Sequence, residues 1–438
     1  MNRDYDVIIV GGRAAGTHMA ARLGKYGFRV LMLERNTHPS LPAVSSPIIF
    51  SATMRLLDEI GADEQAYAHN TPKLTHASTL ANGLEVSLRI PDYKGRDYAY
   101  AIDRARFDAS LWQTALTYDN VQGRQNFSVT DLLWDGDTVM GVVGKEHGGT
   151  EERITANVVI GADGRFGIVS RKVHAQETDV FETHPTSIYY AYWRDVAQVN
   201  DQPSMTTYVN DNNTEYGYLT MDSADGQTAI GIEGRADVVE PDAGDAQGFY
   251  LRTLAQCEPL QARLANAEMV TTVRGMRHIG NSYRQAGGQG WALIGDAYHQ
   301  KDPLDGQGIY NAVITGKALA RQMLKWKRGE INWETAISEY DDIARVKTYP
   351  MYKSLQNRIQ TSFYSDQGAT IPTWLQDSLA RWVLDDAEFQ ELVGKLFTRE
   401  VPPDYITLMT PPTLVGAVAR GIRKDIEQRV KARIPFLN

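Results

Sequence analysis

Residues Tyr5 to Val10, Tyr-Asp-Val-Ile-Ile-Val, form a short apolar run that leads straight into Gly11-Gly12-Arg13-Ala14-Ala15-Gly16. A run of this kind predicts a strand buried on both faces. Thr17 to Leu23 then reads as a helix with Gly24 near its end, and Phe28 to Leu33 as a second strand closing on Glu34 and Arg35. Glu34 stands 23 positions after Gly11, close to the roughly 20 expected of a dinucleotide-binding βαβ unit. In such a unit Gly11 allows the tight turn and Gly16 lets the helix approach the sheet. The helix N-terminus presents free N–H groups to a pyrophosphate, and the acid accepts from ribose hydroxyls. The middle glycine is replaced by Arg13, whose side chain must turn away from the pyrophosphate or reach round to pair with it.

Two later segments repeat the pattern. Asn157 to Ile160 leads into Gly161-Ala162-Asp163-Gly164-Arg165. Trp291 to Ile294 leads into Gly295-Asp296-Ala297, then Lys301-Asp302-Pro303 and Gly306-Gln307-Gly308-Ile309, with a helix expected from about Ile309. Between them lie short alternating stretches, Thr186–Arg194, Thr206–Val209, Glu215–Thr220 and Gln227–Ile232, divided by Asp211-Asn212-Asn213 and Asp225-Gly226. They predict an antiparallel sheet. Period two places Tyr190, Tyr192 and Arg194 on one face and Tyr189, Ala191 and Trp193 on the other. Helices are predicted over Ile314–Arg328 and Trp333–Thr348, then a helical region punctuated by Pro350, Pro372, Pro402-Pro403 and Pro411-Pro412. Its tail carries Arg423, Lys424, Arg429, Lys431 and Arg433 against Asp425 and Glu427. That reads as a helix with a solvated basic face, a membrane surface being the alternative.

Composition narrows the classes. A single cysteine, Cys257, excludes an internal disulfide, a thiolate zinc site and a cysteine-ligated iron–sulfur cluster within one chain, and fits a cytoplasmic location. No His/Asp/Glu cluster has metal-ligand spacing, so no metal is expected. The net charge of −9 argues against a nucleic-acid partner. No apolar run reaches the roughly 18 residues of a membrane span, so no integral membrane segment is expected. The charged start runs directly into an apolar strand, without the pattern of a signal peptide. The 438 residues suggest two to four domains, and 22 tyrosines against 11 phenylalanines suggest polar-tipped pockets.

In order and spacing, the three motifs within residues 1–330 resemble the flavoprotein monooxygenases of the para-hydroxybenzoate-hydroxylase type. That superfamily also holds prenyl-chain reductases and flavin halogenases. Gly11 to Gly16 resembles the Gly-x-Arg-x-Ala-Gly turn of one branch. The resemblance implies an α/β fold with a Rossmann-like FAD-binding domain (1–75, 98–175 and 275–330). It also implies an inserted, mostly antiparallel β-sheet substrate domain (76–97 and 176–274) and a C-terminal helical region (331–438). It implies FAD contacts at Gly11, Gly12, Arg13, Ala14, Ala15, Gly16, Glu34 and Arg35. Arg104, opening a helix in Asp103-Arg104-Ala105-Arg106-Phe107-Asp108, would meet the pyrophosphate, and the Val129 backbone the adenine. Asp163 would contact both FAD and NAD(P)H, Asp296 the ribityl chain and Pro303 the flavin ring. Gly306, Gly308 and Ile309 would offer backbone to the pyrimidine edge. Tyr190, Tyr192 and Arg194 are the substrate candidates.

The activity implied is monooxygenation, in which NAD(P)H reduces FAD and dioxygen reacts as a flavin hydroperoxide. The substrate would be an aromatic or polycyclic small molecule, and the protein a monomer or homodimer. No side chain need be a nucleophile, and a base for phenolic substrates stays unassigned between His299 and a sheet tyrosine. The alternative is an FAD-dependent reductase of the geranylgeranyl type, which saturates double bonds without dioxygen. A nucleotide-binding protein without catalysis is a third class. The halogenase signature Trp-x-Trp-x-Ile-Pro is absent, since no two of the eight tryptophans lie two apart.

Overall fold

Three strands carry the three glycine turns side by side. In this computed structural model, which describes residues 3–41, 46–81, 84–209, 215–364, 378–379, 381–383, 386–397 and 411–433, Tyr5–Val10 lies parallel to Glu152–Gly161. Glu152–Gly161 in turn lies parallel to Trp291–Leu293. On the other side Tyr5–Val10 pairs with Val30–Leu33, and Val30–Leu33 with Val121–Arg124, both parallel. Val7 to Ile9, Val30 to Leu33 and Val158 to Ile160 are buried, as continuous apolar strands of a covered parallel sheet should be. Phe127–Asp135 and Thr138–Glu146 form a hairpin that extends the sheet along Glu152–Gly161. Of the predicted breaks, Pro372, Pro402 and Pro403 lie outside the described residues, as do Asp211 to Asn213.

A second sheet of nine strands is antiparallel except where Met205–Val209 runs parallel to His76–Ala81. Glu177–Arg194 is flanked by Gln227–Arg235 and Arg274–Arg284. The strand Arg274–Arg284 falls within the sequence boundary of the cofactor domain yet pairs along this second sheet. His299–Gln300 pairs with it in turn, so the third motif crosses from one sheet into the other.

Tyr189, Ala191 and Trp193 share a core with Tyr208, Tyr216, Tyr218, Ile230 and Ile232 beneath the helices Ala246–Leu254 and Glu258–Arg263. The hydroxyls of Tyr208, Tyr216, Tyr218 and Tyr250 there are each hydrogen-bonded. Tyr218 donates to the Thr253 carbonyl at 2.9 Å and Tyr250 to the Ile230 carbonyl at 2.9 Å. The tyrosine-rich stretch therefore builds a polar-tipped core between sheet and helices more than it lines a pocket.

The helix Gly308–Lys327 packs on the glycine-turn helix Ala14–Lys25, and Trp333–Phe363 packs on Gly308–Lys327. Trp333–Phe363 runs through Pro350 where the sequence predicts a break. The ring removes the N–H that would reach the carbonyl of Val346. Val346 is 69% exposed, so water can take that bond instead. This helix joins the main core through Tyr340, Ala344, Met351 and Tyr352. Among the described residues no helix is long and apolar enough to cross a membrane.

Candidate cofactor site

The three turns meet at the C-terminal edge of the parallel sheet, where ligands of such folds sit. Gly11 has φ +107°, and a Cβ there would lie 2.4 Å from the Ala162 carbonyl oxygen. A Cβ at Gly16 would lie 1.8 Å from the Gly11 oxygen, so the helix can close on the strand only at glycine. Gly295, at φ +58°, would bring a Cβ within 3.0 Å of Ala15. The first turn thus abuts the second at Ala162 and the third at Gly295.

Two helices open onto this junction. Neither Arg13, before Ala14–Lys25, nor Gln307, before Gly308–Lys327, makes a side-chain cap. Asp63, Asp103, Asp245 and Asn332 do cap their helices. Among the described residues the N–H groups of Ala14 and Ala15, and of Gly308 and Ile309, are left for another acceptor. Gly308 is exposed and a Cβ on it would meet nothing within 4 Å, which leaves room for a ligand against the backbone.

Glu34 is buried, taking the Gly12 N–H at 2.8 Å and the Asn36 N–H at 2.9 Å. Each carboxylate oxygen can accept a further bond. Arg13 turns away from the glycine turn, donating to the Ser40 carbonyl at 2.8 Å and to Asp108 at 2.7 Å. Arg104 donates to both oxygens of the same buried Asp108, at 3.1 and 3.2 Å. Sequence reasoning missed Asp108, though its spacing of four from Arg104 on the helix Arg104–Leu116 was a readable signal. Ala14 is buried, Arg35 is exposed, and Val129 sits opposite Gly144 in the hairpin.

Asp163 caps the short helix Ile168–Lys172, its Oδ2 taking the N–H groups of Ile168 at 2.6 Å and Val169 at 3.1 Å. Its Oδ1 is buried with no hydrogen-bond partner among the described residues, and burial pushes the carboxyl up to about 6. Burial also raises Asp296, against the pull of the cations Arg165, Lys301, Arg104 and Arg284 around it. Arg165 donates to the Lys301 carbonyl at 2.8 Å and so ties the second motif to the third. Pro303 opens a tight turn whose cap is Asp302, and Gly306 ends it at φ +65°. Ile309 is buried.

Tyr190 and Tyr192 lie on the face opposite the helix-covered core. Tyr192 packs against the cluster of Ile48, Phe50, Leu74 and Ala101, and burial raises its hydroxyl with Asp103 and Arg104 nearby. Arg194 is exposed at the strand end. On the same face Glu233, in register with Ile188, lies beside Asp302. Asp302 is buried, accepts from the Thr186 hydroxyl and from Leu304 N–H at 2.9 Å, and donates its own N–H to Asn281. Burial first, and the Asp302 charge second, push the Glu233 carboxyl well above the ordinary range. Nothing in the sequence pairs two acids 69 positions apart.

His299 stacks on Tyr283 at 3.8 Å, with the edge of Tyr352 at 5.2 Å, and burial takes its imidazole down to about 3. It belongs to an aromatic cluster and stays neutral. Asn311, buried one turn into Gly308–Lys327, has neither side-chain N nor O bonded among the described residues. A buried carboxamide ordinarily has partners. The uncapped helix ends, the open backbone at Gly308 and these orphaned polar atoms fit a flavin dinucleotide.

The family described as "FAD binding domain" matches residues 4–345. The chain is 27% identical over 351 residues to digeranylgeranylglycerophospholipid reductase 2 of Methanococcoides burtonii, covering 79% of this chain and 81% of that protein. Among solved structures it is similar to the flavin-dependent brominase Bmp2, with TM-score 0.77 at 18% identity over 96% of this chain and 99% of that one. A geranylgeranyl bacteriochlorophyll reductase-like protein of Thermoplasma acidophilum gives TM-score 0.66 at 16% identity, over 97% and 98%. At such identities the structural likeness speaks for the fold alone. With three glycine turns converging on one edge and a family match across most of its length, the chain is an FAD-dependent oxidoreductase belonging to the FAD binding domain family.

Proposed function

We propose that this protein is an FAD-dependent reductase that saturates carbon–carbon double bonds in a prenyl chain, with NAD(P)H as electron donor. The observation that carries the reading is the similarity to a digeranylgeranylglycerophospholipid reductase along 79% of the chain. The site is compatible with it. The cofactor-side face of the second sheet is rich in apolar groups, with Tyr192, Met205, Leu219, Met221 and Ala229 in one cluster. Such a surface suits a hydrocarbon chain. Hydroxylation of a phenol needs a base to take the hydroxyl proton. His299, one of the two sequence candidates beside a sheet tyrosine, is held neutral inside an aromatic stack and is a weak base there.

When bound and reduced, FAD would supply a hydride to one carbon of the double bond, the other carbon taking a proton from water. The chain's residues bind and orient. Glu34 braces the Gly12 turn through a 2.8 Å bond, the helix ends at Ala14 and Gly308 offer N–H groups to anionic parts of the cofactor, and Tyr190 and Tyr192 would meet the substrate from the sheet face opposite the helix-covered core.

The test is to reduce the FAD-loaded protein anaerobically and mix it with a geranylgeranyl glycerophospholipid. Reoxidation of the flavin with a mass gain of two hydrogens per double bond supports the reading. A reduced protein inert toward that lipid, which instead inserts oxygen into an aromatic compound in air, returns the assignment to the monooxygenase. A protein that takes up no FAD overturns both.

A further inference from the structure

Among the described residues, the helix Pro411–Arg433 is held on one side. On that side Ala417 is buried, and a Cβ at Gly421 would lie 2.3 Å from Trp382 Cβ. Asp425 takes both Arg381 guanidinium nitrogens, at 2.6 and 3.0 Å, and Trp382 Nε1 at 2.9 Å. Arg420 reaches Asp386 at 2.6 and 2.9 Å.

The other side carries large apolar groups in the open. Val415 is 66% exposed, Ile422 40%, Ile426 56% and Val430 47%. Steps of seven, four and four put them on one helix face, a stripe about 22 Å long at 1.5 Å per residue. Singly exposed apolar residues are ordinary on any surface, but four in register along one helix are not scattered. A solvated basic face accounts for the charges of this segment and leaves the stripe unexplained.

Charge indicates what covers it. Six bases and two acids lie between Pro411 and Arg433, in a chain whose net charge is −9. Arg423, next to Ile422, has an 82% exposed side chain, and Lys424 is exposed. Two copies meeting through this stripe would bring their bases together, which opposes self-association. An anionic lipid surface satisfies both halves, taking the apolar stripe among its acyl chains and the bases among its headgroups.

We propose that the outer face of the helix Pro411–Arg433 docks the protein on the surface of a membrane containing anionic lipid. The helix lies in the interface plane, with Val415, Ile422, Ile426 and Val430 inserted and Arg423 and Lys424 at headgroup level. The proposal concerns binding, not turnover, and stands apart from the choice of substrate.

The experiment is co-sedimentation of the full-length, FAD-loaded protein with phosphatidylcholine vesicles and with vesicles that also contain phosphatidylglycerol. The expected result is binding to the anionic vesicles, weakened by added salt, since screening shortens electrostatic reach to about 10 Å at roughly 0.1 M. The double variant Ile422→Asp/Ile426→Asp should lose at least tenfold in vesicle affinity while keeping its FAD content and circular dichroism. Arg423→Glu/Lys424→Glu should lose affinity for anionic vesicles and much of the salt dependence. Absence of binding to anionic vesicles overturns the proposal, and so does equal binding by wild type and both variants. Sedimentation equilibrium showing a dimer that the isoleucine variant breaks, with vesicles unbound, would assign the face to a second copy instead.

Discussion

The Arg13 guanidinium donates to the Asp108 carboxylate at 2.7 Å, and Asp108 has no solvent exposure. Arg104 shares that carboxylate, so one buried negative charge holds two positive ones beside the glycine turn. This is how the Arg13 side chain is drawn away from the backbone of the glycine turn. Asp108→Asn would leave two guanidiniums facing each other without a counter-charge. Loss of one partner from a buried ion pair costs about 3 kcal/mol or more. The variant should unfold at lower temperature and lower denaturant concentration. A variant as stable as the wild type would show that Asp108 is not what holds the two arginines.

Gly308 separates cofactor binding from folding. It is exposed, begins a helix, and a Cβ there would touch nothing in the protein. Gly308→Ala should therefore leave the cofactor-free protein as stable as before or stabilise it by about 0.5 kcal/mol. FAD affinity, measured by quenching of flavin fluorescence, should fall at least tenfold because the methyl fills the approach to the backbone. Asp296→Ala should weaken FAD by a similar factor. Unchanged affinity in both variants would remove the third turn from the site.

His299 makes stability depend on acid. Burial takes its imidazole from the ordinary 6.5 down to about 3, so below pH 6.5 the unfolded chain binds a proton that the folded one refuses. This contribution is complete above pH 6.5 and is lost as pH falls from there toward 3. His299→Phe keeps a ring against Tyr283, stacked at 3.8 Å in the wild type, and removes the titration. Thermal midpoints of wild type and variant should diverge as pH is lowered from 7 to 5, with the variant losing less. Parallel curves would mean that His299 is solvated.

Glu233 works in the opposite direction. The folded protein holds its proton to higher pH than the unfolded chain, because burial and the Asp302 charge raise it above the ordinary 4.5. Stability from this group is complete below that value and is lost as pH rises through the folded value. Glu233→Gln replaces the acid by a neutral group of the same shape. Wild-type stability should fall relative to the variant between pH 5 and 8, measured by urea midpoints. A difference that stays constant with pH would show that Glu233 ionises normally.

The sequence by itself determined the three strand–turn units, the acid closing the first of them, and the period-two face that separates Tyr190 and Tyr192 from Tyr189 and Trp193. These are local requirements. A positive φ at Gly11, the close approach of Gly16 to the strand, and the alternation along Glu177–Arg194 each depend on neighbours within a few residues. What only the tertiary structure decided depends on residues far apart in the chain. Asp108 meets Arg13 across 95 positions, and Glu233, in the strand Gln227–Arg235, meets Asp302 at the start of the turn Pro303–Asp305. The helix runs on through Pro350 beside an exposed Val346, which no local propensity records. The tyrosine face that is covered is the one on which Ala246–Leu254 and Glu258–Arg263 fold back. The chemistry of a carboxylate or an imidazole is set by its burial and its charged neighbours, and both exist only once the chain has brought distant segments together.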